Sequence, residues 1–132
     1  MKGQEPFVSH TLIIGFASVI LVIVAVSLVT VHNDYSDFII ESSTSKICSD
    51  LRTAVSEIVS NDLLEGNILL HLPAKIGDKN YDLSGNLDIV KIHWENQEKD
   101  CKLGYDVNMD GNANGGSILL DYTGVNIVLE GL

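Results

Sequence analysis

Basic side chains are scarce in this chain. Of 132 residues, eight are Lys or Arg against 18 Asp or Glu, which leaves a formal net charge of −10. The eight are scattered singly, so no patch or stripe exists that could neutralise a row of phosphates, and the composition argues against nucleic acid as a partner. Cysteine is limited to Cys48 and Cys101. The four histidines, His10, His32, His71 and His93, are isolated and lack the spacing of a metal site. There is no Gly-rich phosphate loop, no nucleophile elbow and no Cys-His arrangement. The chain therefore reads as a structural or binding protein rather than an enzyme, with no required cofactor.

Charge is missing altogether from Thr11 to Val31, twenty-one residues that read TLIIGFASVILVIVAVSLVTV. About 20 apolar residues cross a hydrocarbon core as a helix, so this stretch is expected to span a membrane. A secretory signal would have an apolar region of about 7 to 15 residues and a small-residue cleavage site. The run here is longer, and His32-Asn33-Asp34-Tyr35 follows it. Gly15, Ala17, Ser18 and Ala25 interrupt the Val, Ile and Leu, and small residues of this kind let helices approach closely. Lys2 is the only base before the span and Lys46 the first after it, which places the N-terminus inside. The remainder, which carries nearly all the acidic charge, is then outside the cell membrane, where the two cysteines can oxidise.

Beyond the span, Tyr35, Phe38, Ile39, Ile47, Leu51, Ala54, Val55, Ile58 and Val59 recur mostly at steps of three and four. They predict one helix from about Pro6 to Asn61, roughly 80 Å long at 1.5 Å per residue. Pro6 suits its first turn, the patch Glu41-Ser42-Ser43-Thr44-Ser45 is a candidate bend, and Asn61-Asp62 and Gly66 are stop signals. From residue 62 the period changes to two. Six strands are expected, at Asn67 to Leu72, Lys79 to Leu83, Leu87 to Trp94, Cys101 to Val107, Ser117 to Tyr122 and Val125 to Glu130, with tight turns at Ser84-Gly85-Asn86 and Thr123-Gly124. The fold class is α+β: a long N-terminal hydrophobic helix followed by a small antiparallel β-domain. A sheet this small makes a thin core, and the apolar face of the second half of the helix can complete it.

Two constellations each leave two readings open. Cys48 and Cys101 are an isolated pair, either joined in a disulfide that pins the sheet to the helix or present as separate thiols. The segment Asp106 to Asn114 matches the first nine positions of an EF-hand or dockerin-like calcium loop, with Asp106, Asn108, Asp110, Asn112 and Asn114 as oxygen donors and Gly111 at the sixth position. Position twelve holds Ser117 where a bidentate carboxylate is expected, and Asp121 is the substitute. The other reading is an Asn- and Gly-rich hairpin connection.

The start, Met1-Lys2-Gly3-Gln4 closely followed by a hydrophobic span, resembles the archaeal type IV pilin-like proteins that carry a class III signal peptide. The resemblance implies that a membrane peptidase removes residues 1–3, cutting between Gly3 and Gln4. The helix of residues 4–61 would then remain, with 11–31 as membrane span or filament core, below an extracellular β-domain of residues 62–132. The fifth mature position holds Val8 where the family commonly has Glu, and Glu5 stands at the second. By this resemblance the function is that of a structural subunit of a type IV pilus-like surface filament, in adhesion or surface interaction. Its partners would be copies of itself or related pilins in a helical filament, the membrane before assembly, and the leader peptidase and assembly machinery. The alternative is a monomeric, single-pass, membrane-tethered extracellular binding module.

Overall fold

Helix α1 spans Glu5–Ser60, within a residue of the expected bounds at either end. The computed structural model describes residues 5–61 and 65–132. Pro6 sits in the first turn, where its missing N–H leaves no bond unmade. At the other end the Asn61 N–H donates to the Glu57 carbonyl at 3.3 Å; of the other expected stop signals, Asp62 lies outside the described residues and Gly66 falls within the first strand. Two compact units divide the chain, Met1–Asp37 and Phe38–Leu132. In the first, α1 is the whole of the described structure.

In the second unit α1 buries Thr44, Ile47, Cys48, Leu51, Ala54, Val55 and Ile58. Steps of three and four place these on one stripe of the helix. The serine-rich patch at Glu41–Ser45 is helical throughout. Its poor propensity is a matter of tenths of a kcal/mol per residue, and tertiary contacts offset it. Thr44 Oγ1 donates to the Glu41 carbonyl at 3.0 Å and, with Ser45 Oγ, accepts from Lys99 Nζ at 3.2 Å.

Among the described residues seven strands follow: β1 Glu65–His71, β2 Asp82–Asn86, β3 Ile89–Trp94, β4 Gln97–Lys102, β5 Asn108–Asn114, β6 Ser117–Thr123 and β7 Asn126–Gly131. They form one sheet in the order β1-β6-β7-β5-β2-β3-β4. Every pair is antiparallel except β5 with β7. One sheet face carries Leu83, Val90, Ile92, Cys101, Met109, Ala113, Ile118, Leu120, Ile127 and Leu129, and these form a single apolar core with the buried stripe of α1. Fully burying one such side chain stabilises by about 1.5–3 kcal/mol, so the stripe is a large part of what holds a seven-stranded sheet this small together.

The expected strands at 67–72, 87–94, 117–122 and 125–130 coincide with β1, β3, β6 and β7. Three expectations need correction. Ser84-Gly85-Asn86 is not a turn but part of β2, so the strand expected at 79–83 lies at Asp82–Asn86, and the chain reverses at Leu87-Asp88 instead. The fourth strand lies at Gln97–Lys102 rather than 101–107. Its charge content hid it, yet β4 is an edge strand, where charge is tolerated and guards against further pairing. The third is β5, the segment expected as a calcium-type loop or hairpin connection, and so the sheet has a strand that its Asn, Asp and Gly content does not favour. Pairing on both sides, with β7 and β2, outweighs that preference.

Candidate functional site

The apolar half of α1 is the most unusual surface of the molecule. From Val8 to Val31 every side chain is exposed, and among the described residues this is the one helix long and apolar enough to cross a membrane. The hydroxyl groups of Ser18, Ser27 and Thr30 are satisfied within the helix. Ser18 donates to the Gly15 carbonyl at 2.8 Å, Ser27 to Ile23 at 2.8 Å and Thr30 to Val26 at 3.1 Å. Such back-bonding lets a hydroxyl sit in an apolar environment without an orphaned donor.

Helical geometry sorts the small residues. At 100° per residue Gly15, Ser18 and Ala25 fall within about 80° of one another, whereas Ala17 lies about 160° from Gly15. The first three share a face and Ala17 does not belong to it. A Cβ added at Gly15 would meet nothing within 4 Å, and Val8, Leu12, Gly15, Phe16 and Val19 line an open apolar hollow there. A facing helix could place a side chain in such a hollow. The expected cleavage point, Gly3-Gln4, lies outside the described residues.

In the second unit Cys48 of α1 and Cys101 of β4 form a disulfide, with Cα atoms 5.6 Å apart and a sequence separation of 53. It closes one of several links between α1 and β4, since Arg52 Nε donates to the Lys102 carbonyl at 2.7 Å. The set expected to bind calcium is laid out differently from a loop. Asn108, Asp110, Asn112 and Asn114 alternate with Met109 and Ala113 along β5, so they form a row on the outer sheet face. Neighbours in that row are about 6.6 Å apart at strand rise, while a calcium shell needs oxygens converging at 2.3–2.6 Å. Asp106 precedes the strand. Asp121 and Asp110 both pair with Val128 from opposite sides, which separates them by about 10 Å. Asp110 Oδ1 instead accepts the Gly111 N–H at 2.7 Å.

One arrangement escaped the sequence. On the outer face Ser84 Oγ lies 3.1 Å from His93 Nε2, and His93 Nδ1 lies 3.6 Å from Glu98 Oε2. Placing a turn at Ser84 concealed it; a β2–β3 hairpin closed at Leu87-Asp88 would have brought the three strands into register. His93 is within hydrogen-bond distance of Ser84, while 3.6 Å to Glu98 is too long for a hydrogen bond. Ser84 sits on a strand paired on both sides, so the backbone amides beside Oγ are committed and no oxyanion site adjoins it. Its evident role is to satisfy polar groups across three strands.

Comparison with protein-family models, with curated proteins and with solved structures finds no match to this chain.

Proposed function

We propose that this chain is a structural subunit of an archaeal type IV pilus-like surface filament, serving adhesion or surface interaction. In this reading the leader is removed between Gly3 and Gln4, and α1 holds the subunit in the membrane with the β-domain outside until assembly. Copies then exchange lipid contacts for helix contacts through a repeated interface that does not close. What supports the reading is the apolar half of α1. It is exposed throughout Val8–Val31, the hydroxyls of Ser18, Ser27 and Thr30 are satisfied internally, and its small residues leave one face open to a neighbour. The domain beyond it is acidic and self-contained, which suits a hydrated filament exterior. Chemistry is not called for: the function is assembly.

Electron microscopy of the purified full chain, with N-terminal mass spectrometry of the same material, tests this. Filaments whose subunits begin at Gln4 are expected. Monodisperse protein that retains Met1 while resident in the membrane would instead identify a tethered monomer.

A further inference from the structure

The end of the sheet at which α1 terminates carries features that the fold does not use. The β2–β3 and β6–β7 hairpins turn there, at Leu87-Asp88 and Gly124-Val125. Leu87 is 63% exposed and Val125 65%. Hairpin tips normally carry Gly, Asn, Asp or Ser. Leu87 is, in addition, held at φ 56°, a conformation that Gly, Asn and Asp adopt at far less cost than a branched apolar residue. Neither side chain belongs to the apolar core.

The two tips are fixed to each other. Asn108 N–H donates to the Val125 carbonyl at 3.0 Å, Met109 N–H to Leu87 at 2.8 Å, and Leu103 N–H to Asp88 at 2.9 Å. Between them is a cavity of about 330 Å³ lined by Leu87, Val125, Tyr105, Asp88, Asp106 and Asn108 among others. That is the low end of ligand-pocket volumes, and suits one side chain better than a whole cofactor. Among the described residues the lining has two carboxylates and no basic side chain. The unit that bears it, Phe38–Leu132, has fifteen Asp and Glu against seven Lys and Arg, a formal charge of −8.

We infer that this end of the β-domain is a docking site for a polypeptide that presents one aliphatic side chain flanked by Lys or Arg. The aliphatic group enters between Leu87 and Val125, and the cations meet Asp88, Asp106 and the Tyr105 ring, which attracts a cation over its face. Like charge disfavours a second copy of the same end. Its residues belong to the second unit alone, so the inference does not rest on the filament reading.

The test uses the full chain in phosphatidylcholine nanodiscs, immobilised, with empty nanodiscs as reference. The probe is the peptide Gly-Lys-Lys-Leu-Lys-Lys-Gly, compared with versions in which Leu is replaced by Gly or all four Lys by Glu. The Leu-Lys peptide is expected to bind at least about tenfold more tightly than either counterpart. Leu87→Asn and Val125→Ser should each weaken it about five- to tenfold, and Asp106→Lys by more than about tenfold. Glu130→Lys, on the outer face, should change it by less than about twofold. Leu87→Asn also guards against misfolding as an explanation, since Asn relieves the positive φ and should not lower the melting temperature. Equal binding of the Gly-substituted peptide, or unchanged affinity in a well-folded Leu87→Asn protein, overturns the proposal. So does self-association of the full chain that Leu87→Asn abolishes, which would make the occupant a second copy.

Discussion

Reducing the Cys48–Cys101 bond provides a quantitative probe of how α1 holds the sheet. The bond closes a loop of 53 residues, and the chain-entropy relation assigns such a loop about 4 kcal/mol of stability. Domains of this size have about 5–15 kcal/mol in total. Both sulfurs are buried, with Cys48 7% and Cys101 1% exposed. The apolar stripe on either side, Ile47, Leu51 and Val55, is untouched by reduction, so the native fold should persist at room temperature but melt much lower. At about 4–8 °C per kcal/mol for a domain of 60–100 residues, the melting temperature should fall by about 16–32 °C. Circular dichroism of the full chain in detergent, with and without reductant, measures it. Amide exchange should locate the effect. The edge strand β4 pairs only with β3 and otherwise relies on α1 through the disulfide, Arg52 and Lys99, so its amides should exchange faster before those of β6 and β7. A drop of less than about 5 °C, near 1 kcal/mol, would refute the loop-closure reasoning and leave helix–sheet packing as the main tether.

The remaining predictions concern single positions. Burial pushes the Tyr81 hydroxyl up from 10.0 to about 12, against a smaller opposing effect of a hydrogen bond to the backbone at Gly116. Because the folded state keeps this proton after the unfolded state has released it, the stabilisation is complete below pH 10 and is lost as pH rises through about 12. Tyr81→Phe should therefore flatten alkaline unfolding over that window. Gly111 has φ +99°, and an added Cβ would approach the Leu129 carbonyl oxygen to 2.5 Å. Gly111→Ala should therefore cost about 3 kcal/mol or prevent folding, read by urea denaturation. Gly15→Leu and Ala25→Leu should leave membrane insertion intact and abolish filaments, by sedimentation and microscopy; filaments in normal amount would place the interface elsewhere. Given the straight row along β5, millimolar calcium should shift the melting temperature by less than about 1 °C. A larger shift that Asp110→Ala removes would show the strand refolding into a loop around the ion.

The sequence by itself determined the elements whose signal is local. Twenty-one uncharged residues have only one economical conformation in an apolar phase, and the three- and four-residue steps from Ile47 to Ile58 mark a helical face whatever covers it. Alternation in Val90, Ile92 and Trp94 likewise fixes which side of β3 is buried. Even where the strand limits were misplaced, the burial of Cys101, Leu103 and Val107 follows from the same alternation.

Tertiary structure alone decided the elements whose residues prefer something else. Asn108 to Asn114 favours turns by every local measure, and becomes a central strand because β2 and β7 offer it backbone partners on both sides. Gln97–Lys102 is a strand because it borders solvent on one edge and meets α1 through Lys99 and Cys101 on the inner face. The meeting of Ser84, His93 and Glu98, and the joining of the Leu87 and Val125 tips over one cavity, depend on strand register. Register is set by turns, and a turn displaced by two residues, as at Ser84-Gly85-Asn86, alters every cross-strand neighbour that follows.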